Sequence, residues 1–307
     1  MFPIHDRGYK RLFSHPRLFR QLLETFVAEE WVKELDFDHC TKMEKSFISK
    51  HYKATETDLL YQVKLRGQPA YIYILIEFQS TVTWFMVVRL LHYLSSFWLD
   101  YAENHPQNQK LPPVFPILLY SGDERWNAAT DLAQLLENPE LFKNYTPQFR
   151  YCAIAENAYT PAQLLQINNL VSTLFLAETH YDLELLSSEL LNLFDREPDK
   201  EAISLLLNWF KQLVVHGRRD GADYDALEQV YHDKLEAQNM LETAIARERA
   251  LIFAQGEAEG IAKGKAEGEA IGSANFLISL LEKRFGSLTP EQQKQLQALQ
   301  TPTLLTL

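Results

Sequence analysis

An α/β or α+β fold with a helical carboxyl-terminal part is what the order of periodic segments predicts. Three observations carry this. Two strongly apolar strand signals, Thr57–Leu65 and Ala70–Gln79, flank a short turn-like link. A long apolar helix pattern follows over 83–104, then a third apolar strand over Val114–Tyr120. From Pro161 onward the spacing of apolar residues turns helical and stays so.

In chain order, residues 6–32 read as helical. Leu12, Phe13, Phe19, Leu22, Leu23, Phe26 and Val27 recur at three- and four-residue spacing, interrupted at Pro16. Residues 36–53 are mixed, with a strand signal at Ser46–Ile48. Arg66-Gly67-Gln68-Pro69 then links the two strong strands into an antiparallel hairpin. Val114–Tyr120 ends at Ser121-Gly122-Asp123, and Arg150–Ala155 is a fourth strand. Helices are predicted near 161–178, 183–195, 199–216 and 224–254. Glycine recurs every fourth residue from Gly256 to Gly272. That stripe reads either as a weakly stable helical linker, each glycine costing about 1 kcal/mol against alanine, or as a close-packing face that would make a homodimer. Ser273–Phe285 and Pro290–Leu299 read as a helical hairpin, with Gly286 as the helix stop. The domain expectation is a main domain over 1–240, a glycine-striped linker over 241–272 and a small helical module over 273–307.

Composition narrows the function classes. The chain has 307 residues, is 46% hydrophobic and carries a formal net charge of −11, so it buries a large core. Residues 1–120 hold 14 Lys+Arg against 13 Asp+Glu, and the remaining 16 and 28 make the rest strongly acidic. A polyanion would therefore meet the first 120 residues. Cys40 and Cys152 form no disulfide framework and fit no zinc spacing. With no apolar run near the ~18 residues of a membrane span and no signal-peptide core, the expectation is a cytoplasmic protein with no membrane partner.

The hairpin carries the chemistry. With a turn centred between Gly67 and Gln68, facing residues have numbers summing to 135, and Asp58 falls opposite Glu77. Leu59, Tyr61, Val63 and Leu65 then meet Ile76, Ile74, Ile72 and Ala70 on one face. The other face holds Asp58, Leu60, Gln62 and Lys64 against Glu77, Leu75, Tyr73 and Tyr71, with Gln79 beyond. Two carboxylates about 5 Å apart repel by ~3 kcal/mol at an effective dielectric near 20. A divalent cation between them, Mg²⁺ or Mn²⁺, suits their hard oxygens and can activate water against a phosphoryl group. The plainer alternative is a pair of solvating carboxylates on an edge strand.

These stretches resemble a known family. Asp58, followed some twenty residues later by Glu77-Phe78-Gln79 at the end of an apolar strand, resembles the PD-(D/E)XK phosphodiesterase pattern. HDRGYKRLF (5–13), TDLLYQV (57–63), YIYILIEFQS (71–80), MVVRLLHY (86–93) and PILLYSG (116–122) resemble the Rpn recombination-promoting nucleases, the YhgA-type transposase family. The resemblance covers roughly residues 4–240. It implies an αβββαβ core with a mixed central sheet and Mg²⁺-dependent DNA endonuclease activity. Carried over by motif, Asp58 and Glu77 are metal-binding acids, and Asp6 is either a third acid or an i,i+4 partner of Lys10. Gln79 stands where the superfamily more often has lysine; it can only hydrogen-bond. Lys10, Lys53, Lys64 and Arg89 are candidates for the missing cation and, with Tyr93 one turn after Arg89, for DNA contacts. His92 reads as packed or surface, and Tyr61, Trp84, Phe97 and Trp98 as core, with base stacking the alternative. Two rivals stand beside the endonuclease: a catalytically weak DNA-binding or assembly protein, and a transposase, which the strand order disfavours. No phosphate-binding GxxxxGK[ST] loop or GxSxG elbow is present, so no nucleotide cofactor is expected.

Overall fold

The computed structural model describes residues 3–43, 59–77, 81–216 and 229–297. Two helices open the chain, α1 (Pro3–Phe13) and α2 (Pro16–Phe26). The interruption at Pro16 is the start of the second helix. Proline sits there at the first helical position, where a missing N–H costs nothing, and His15 Nδ1 accepts from the Arg17 amide at 3.3 Å. Tyr9, Leu12 and Phe13 of α1 and Leu18, Phe19, Leu22, Leu23 and Phe26 of α2 are buried. Each such side chain contributes roughly 1.5–3 kcal/mol.

Five strands follow in one sheet: β1 (Leu35–Lys42), β2 (Leu59–Leu65), β3 (Gln68–Glu77), β4 (Val114–Tyr120) and β5 (Cys152–Ala155), in the spatial order β1-β2-β3-β4-β5. The first three pair antiparallel; β3–β4 and β4–β5 are parallel. Helix α3 (Met86–Asn104) makes the crossover from β3 to β4. This is the αβββαβ order with a mixed central sheet, extended by β5. The predicted strand signal at Ser46–Ile48 lies outside the described residues.

Both faces of the sheet are covered, which is why β3 and β4 read as unbroken apolar runs rather than alternating ones. One face sets Leu59, Tyr61, Val63, Ile72, Ile74, Ile76, Ile117, Leu119 and Ile154 against α1, α2 and the later helices. Tyr61 is core, as expected: its ring stacks on Phe19 at 3.8 Å and its hydroxyl donates to the Phe13 carbonyl at 2.6 Å. The other face sets Leu60, Tyr71, Tyr73, Leu75, Leu118 and Tyr120 against Met86, Val87, Leu90, Leu94 and Phe97 of α3.

The hairpin register differs from the expectation. Leu65 pairs with Gln68 and Leu59 with Ile74, so facing numbers sum to 133, not 135. The link is a two-residue turn, Arg66-Gly67, with φ of +52° and +74°. Two positive φ angles make a type I′ turn, whose twist matches that of the strands. Pro69 is thereby drawn into β3 opposite Lys64. It is tolerated because β4 begins pairing only at Tyr71. A slip of two residues preserves each side chain's face, so both cores form as the alternation requires. The opposing partners nonetheless change, and Glu77 lies three residues past Ile74, the partner of Leu59.

The helical part comprises α4 (Pro161–Ile167), α5 (Leu170–Thr179), α6 (Leu183–Arg196), α7 (Lys200–His216), α8 (Lys234–Phe285) and α9 (Pro290–Gln297). The single helix expected over 161–178 is two, because Asn168 takes a left-handed φ of +56° and Asn169 caps α5 through a reciprocal pair with Ser172. A buried carboxylate ties α2 to the end of α6: Glu197 accepts from Arg17 Nε and Nη2 at 3.0 and 3.2 Å and from Gln21 Nε2 at 3.2 Å. The chain divides into two units, Met1–Ile245 and Ala246–Leu307. Within the second, the glycine stripe is part of α8, and Gly286 (φ +89°) stops the helix. Gln293 Nε2 on α9 then donates back to Glu282 Oε1 at 2.9 Å. Among the described residues, no helix is long and apolar enough to cross a membrane.

Candidate functional site

The site is built where β3, β4 and β5 end. Parallel strands leave their carboxyl ends on one edge, where loops rather than hydrogen-bonded neighbours take over. Glu77 is the last residue of β3 and pairs with Tyr120, the last of β4. The Ser121 amide donates to the Glu77 carbonyl at 3.0 Å. Alternation from Tyr73 and Leu75 turns the Glu77 side chain onto the α3 face, where it is buried.

Arg89 meets it there. Arg89 Nη1 donates to Glu77 Oε2 at 3.1 Å. Arg89 Nε and Nη2 both donate to the Tyr93 hydroxyl at 3.3 Å, and the guanidinium carbon lies 5.8 Å from the Tyr93 ring centre. Tyr93 in turn lies 6.2 Å, ring to ring, from Tyr73 on β3. Burial pulls the Arg89 pKa down, but the Tyr93 oxygen and the Glu77 charge outweigh it and hold the guanidinium above its ordinary value. The i,i+4 spacing of Arg89 and Tyr93 thus yields one contiguous unit with the acid.

The surroundings are negative. The Tyr120 hydroxyl is pushed up by burial and then by Glu124, Asp123 and Glu77. Asn157 pins the loop after β4 by donating to the carbonyls of Gly122 and Glu124 at 2.7 and 2.9 Å. At the end of β5, Glu156 is fully buried. It raises the Tyr9 hydroxyl well above its ordinary value; burial contributes most and Glu178 adds to it, while Ser121 works the other way. Tyr9 belongs to α1, so the first helix also reaches this edge.

The expected site residues fare as follows. Asp58, Gln79 and Lys53 lie outside the described residues. Asp6 lies on α1, three residues before Tyr9, with its side chain outside the described part. Lys10 follows Tyr9 on α1 and is half-buried. Lys64 is exposed and pairs with Pro69, eight residues before Glu77 and about 26 Å away along the strand. It is therefore not the cation that serves Glu77; Arg89 is placed to be. Phe97 and Trp98 pack against the sheet, Trp98 Nε1 donating to the Pro112 carbonyl at 2.9 Å. His92 is exposed. Trp84 is not core: it is 54% exposed, because it precedes the first turn of α3, where the chain has not yet reached the sheet. Sequence reasoning missed Tyr9, Asp123, Glu124, Glu156 and Glu178. The polar Ser121-Gly122-Asp123-Glu124 closing an apolar parallel strand was a usable signal for two of them.

A carboxylate oxygen such as that of Glu77 is the donor type that Mg²⁺ and Mn²⁺ take. Among the described residues, no group of three or more His, Cys, Asp or Glu is disposed to hold a metal.

A mixed αβββαβ sheet whose central strand ends in a buried acid defines a PD-(D/E)XK-like α/β core. The chain belongs to the family described as "Putative transposase, YhgA-like", which matches residues 3–203. It is 28% identical over 196 residues to "Recombination-promoting nuclease RpnC" of Escherichia coli (strain K12), covering 62% of this chain and 64% of that protein. It is 31% identical over 118 residues to "Recombination-promoting nuclease RpnD" of Escherichia coli O157:H7, covering 38% and 45%. It is also 32% identical over 89 residues to "Putative inactive recombination-promoting nuclease-like protein YjiP" of Escherichia coli (strain K12), covering 29% and 86%. The chain thus spans under two thirds of the length of the first two. No solved structure matches it.

Proposed function

We propose that this protein is a metal-dependent DNA endonuclease that hydrolyses phosphodiester bonds. The observation that carries this is the buried Glu77 carboxylate at the end of the central strand, held 3.1 Å from the Arg89 guanidinium of the crossover helix. Asp58 and Glu77, with Asp6 as a further acid, would hold Mg²⁺ or Mn²⁺. Bound there, the ion supplies Lewis-acid polarisation of the phosphoryl group and a water of lowered pKa. Gln79 would orient the attacking water through its amide oxygen. Arg89 takes the place of the superfamily lysine, its charge stabilising the phosphorane-like oxygens as the P–O bond to the leaving nucleoside breaks. Tyr93 fixes the plane of the guanidinium. Lys10 and Lys53 would contact the DNA backbone.

Plasmid DNA with the purified protein in Mg²⁺ or Mn²⁺ tests this. Cleavage is expected for the parent, with at least a hundredfold loss in Asp58→Ala and in Glu77→Ala. Cleavage surviving both substitutions would remove these residues from the mechanism.

A second reading rests on Gln79, which offers no charge where the superfamily more often has lysine. That suits a DNA-binding or assembly protein of weak catalytic power, an outcome in keeping with the word "inactive" in the name of one relative. Calorimetric titration separates the two: Mn²⁺ binding in the millimolar range or tighter supports the endonuclease, and none supports this alternative.

A further inference from the structure

Trp84 and Phe85 are adjacent aromatic residues, 54% and 60% exposed, at the entrance to α3. Their backbone is not loose. The Met86 amide donates to the Thr83 carbonyl at 3.2 Å, and the Phe85 carbonyl accepts from the Val88 and Arg89 amides at 3.0 and 3.2 Å. The Val82 amide donates to Glu124 Oε2 at 3.3 Å, which ties the segment to the loop after β4. Met86 and Val87, immediately following, are fully buried. Two flat apolar rings are therefore presented to solvent from an anchored stretch, with half-exposed Val88 extending the same edge.

Their position relative to the acid is set by the helix. Phe85 and Arg89 are i and i+4, so their Cβ atoms are roughly 5–6 Å apart, and Arg89 reaches Glu77 at 3.1 Å. The aromatic pair thus borders the candidate site within one helical turn. The charge around it is the second observation. Asp123 and Glu124, on the loop after β4, put negative charge beside Tyr120, while the Glu77 charge is met by Arg89. Beside the aromatic pair, a field of this sign opposes the phosphates of a single strand and of a duplex alike, so it does not choose between them. Stacking on aromatic rings is open only to bases that are out of the duplex, and draws on every such base alike.

We infer that Trp84 and Phe85 are a stacking platform for unpaired bases, so that the site takes single-stranded or locally opened DNA in preference to intact duplex. This rests on the endonuclease reading for its biological meaning, but the platform is measurable without cleavage. In chelator, so that no strand is cut, anisotropy of a labelled twelve-nucleotide single strand and of its blunt duplex is read against the full-length chain. Trp84→Ala/Phe85→Ala is expected to weaken the single strand about 5- to 150-fold, the range for removing one stacked base, and the duplex less than twofold. Trp84→Phe keeps a ring and should stay within about threefold of the parent. The parent's tryptophan emission should be quenched by the single strand, and that quenching should be lost in Trp84→Phe.

Equal affinities of the double variant and parent for the single strand would overturn the inference, as would equal losses for strand and duplex. A parent dimer that light scattering shows falling to monomer in the double variant would assign the patch to a second copy of this chain and overturn it too. Failure of the nuclease reading looks different: no DNA cut by the parent in Mg²⁺ or Mn²⁺, with the single-strand loss intact. Failure of the platform alone leaves cleavage present and single-strand binding unmoved by the double variant.

Discussion

Replacing Arg89 with methionine removes the guanidinium while keeping an unbranched side chain. The charge separation of 3.1 Å corresponds to about 5 kcal/mol of gross attraction at an effective dielectric near 20. The Arg89 side chain is 32% exposed and that of Glu77 8%. Solvent screening on the arginine side and the desolvation both groups have already suffered reduce the net coupling to about 1–2 kcal/mol. Arg89→Met alone should destabilise by about 2–3 kcal/mol, since it also removes two hydrogen bonds to the Tyr93 hydroxyl. A cycle with Glu77→Gln isolates the pair: the Tyr93 contacts are lost in both arginine variants and cancel. All five tryptophans, Trp31, Trp84, Trp98, Trp126 and Trp209, lie in the Met1–Ile245 unit. Denaturant unfolding followed by tryptophan emission therefore reports that unit alone. The double variant should be less destabilised than the sum of the single ones by 1–2 kcal/mol. A coupling below 0.5 kcal/mol, within ordinary additivity, would show that Glu77 and Arg89 do not act as a pair and would remove the central geometric support for the endonuclease.

Three further outcomes can be measured. Gly67→Ala places a β-carbon at φ +74° in the hairpin turn and should cost about 1–2 kcal/mol, read from the same unfolding curves; no loss would mean the turn is not type I′. Glu197→Ala removes the acceptor for Arg17 and Gln21 and should cost about 2–4 kcal/mol, with Arg17→Met/Glu197→Met recovering part of it. Burial pushes the thiols of Cys40 and Cys152 up to about 11 from 9.0, with nearby carboxylates adding to it. At pH 8 each should alkylate about a hundredfold more slowly than an open thiol, the rate rising as pH approaches 11; rates equal to those of free cysteine would contradict the burial.

How far the site could be read beforehand follows from which physical constraint was local. Alternation along β3 was enough to send Glu77 to the α3 face with Tyr73 and Leu75, since strand parity is a property of the chain itself. The turn from one residue to the next on a helix was enough to couple Arg89 with Tyr93. The register was not recoverable that way. Shifting β2 against β3 by two residues returns every side chain to the same face, so hydrophobic pattern cannot separate 135 from 133; only the positive φ of Arg66 and Gly67 does. Trp84 was misplaced because an aromatic beside an apolar helix reads as core unless the helix start is known to within one residue. Tyr9, Glu156 and Glu178 come together from segments far apart in the chain, a convergence that periodicity does not encode. The break at Asn168 likewise turns on one left-handed residue inside a pattern that is helical on both sides.

The acid and its cation come from a single strand–helix step, twelve positions apart. Such a contact closes a short loop, so it can assemble while much of the remaining polypeptide is still searching. Damage to the distant helices would then lower how many molecules are folded, yet leave the pairing intact in those that are.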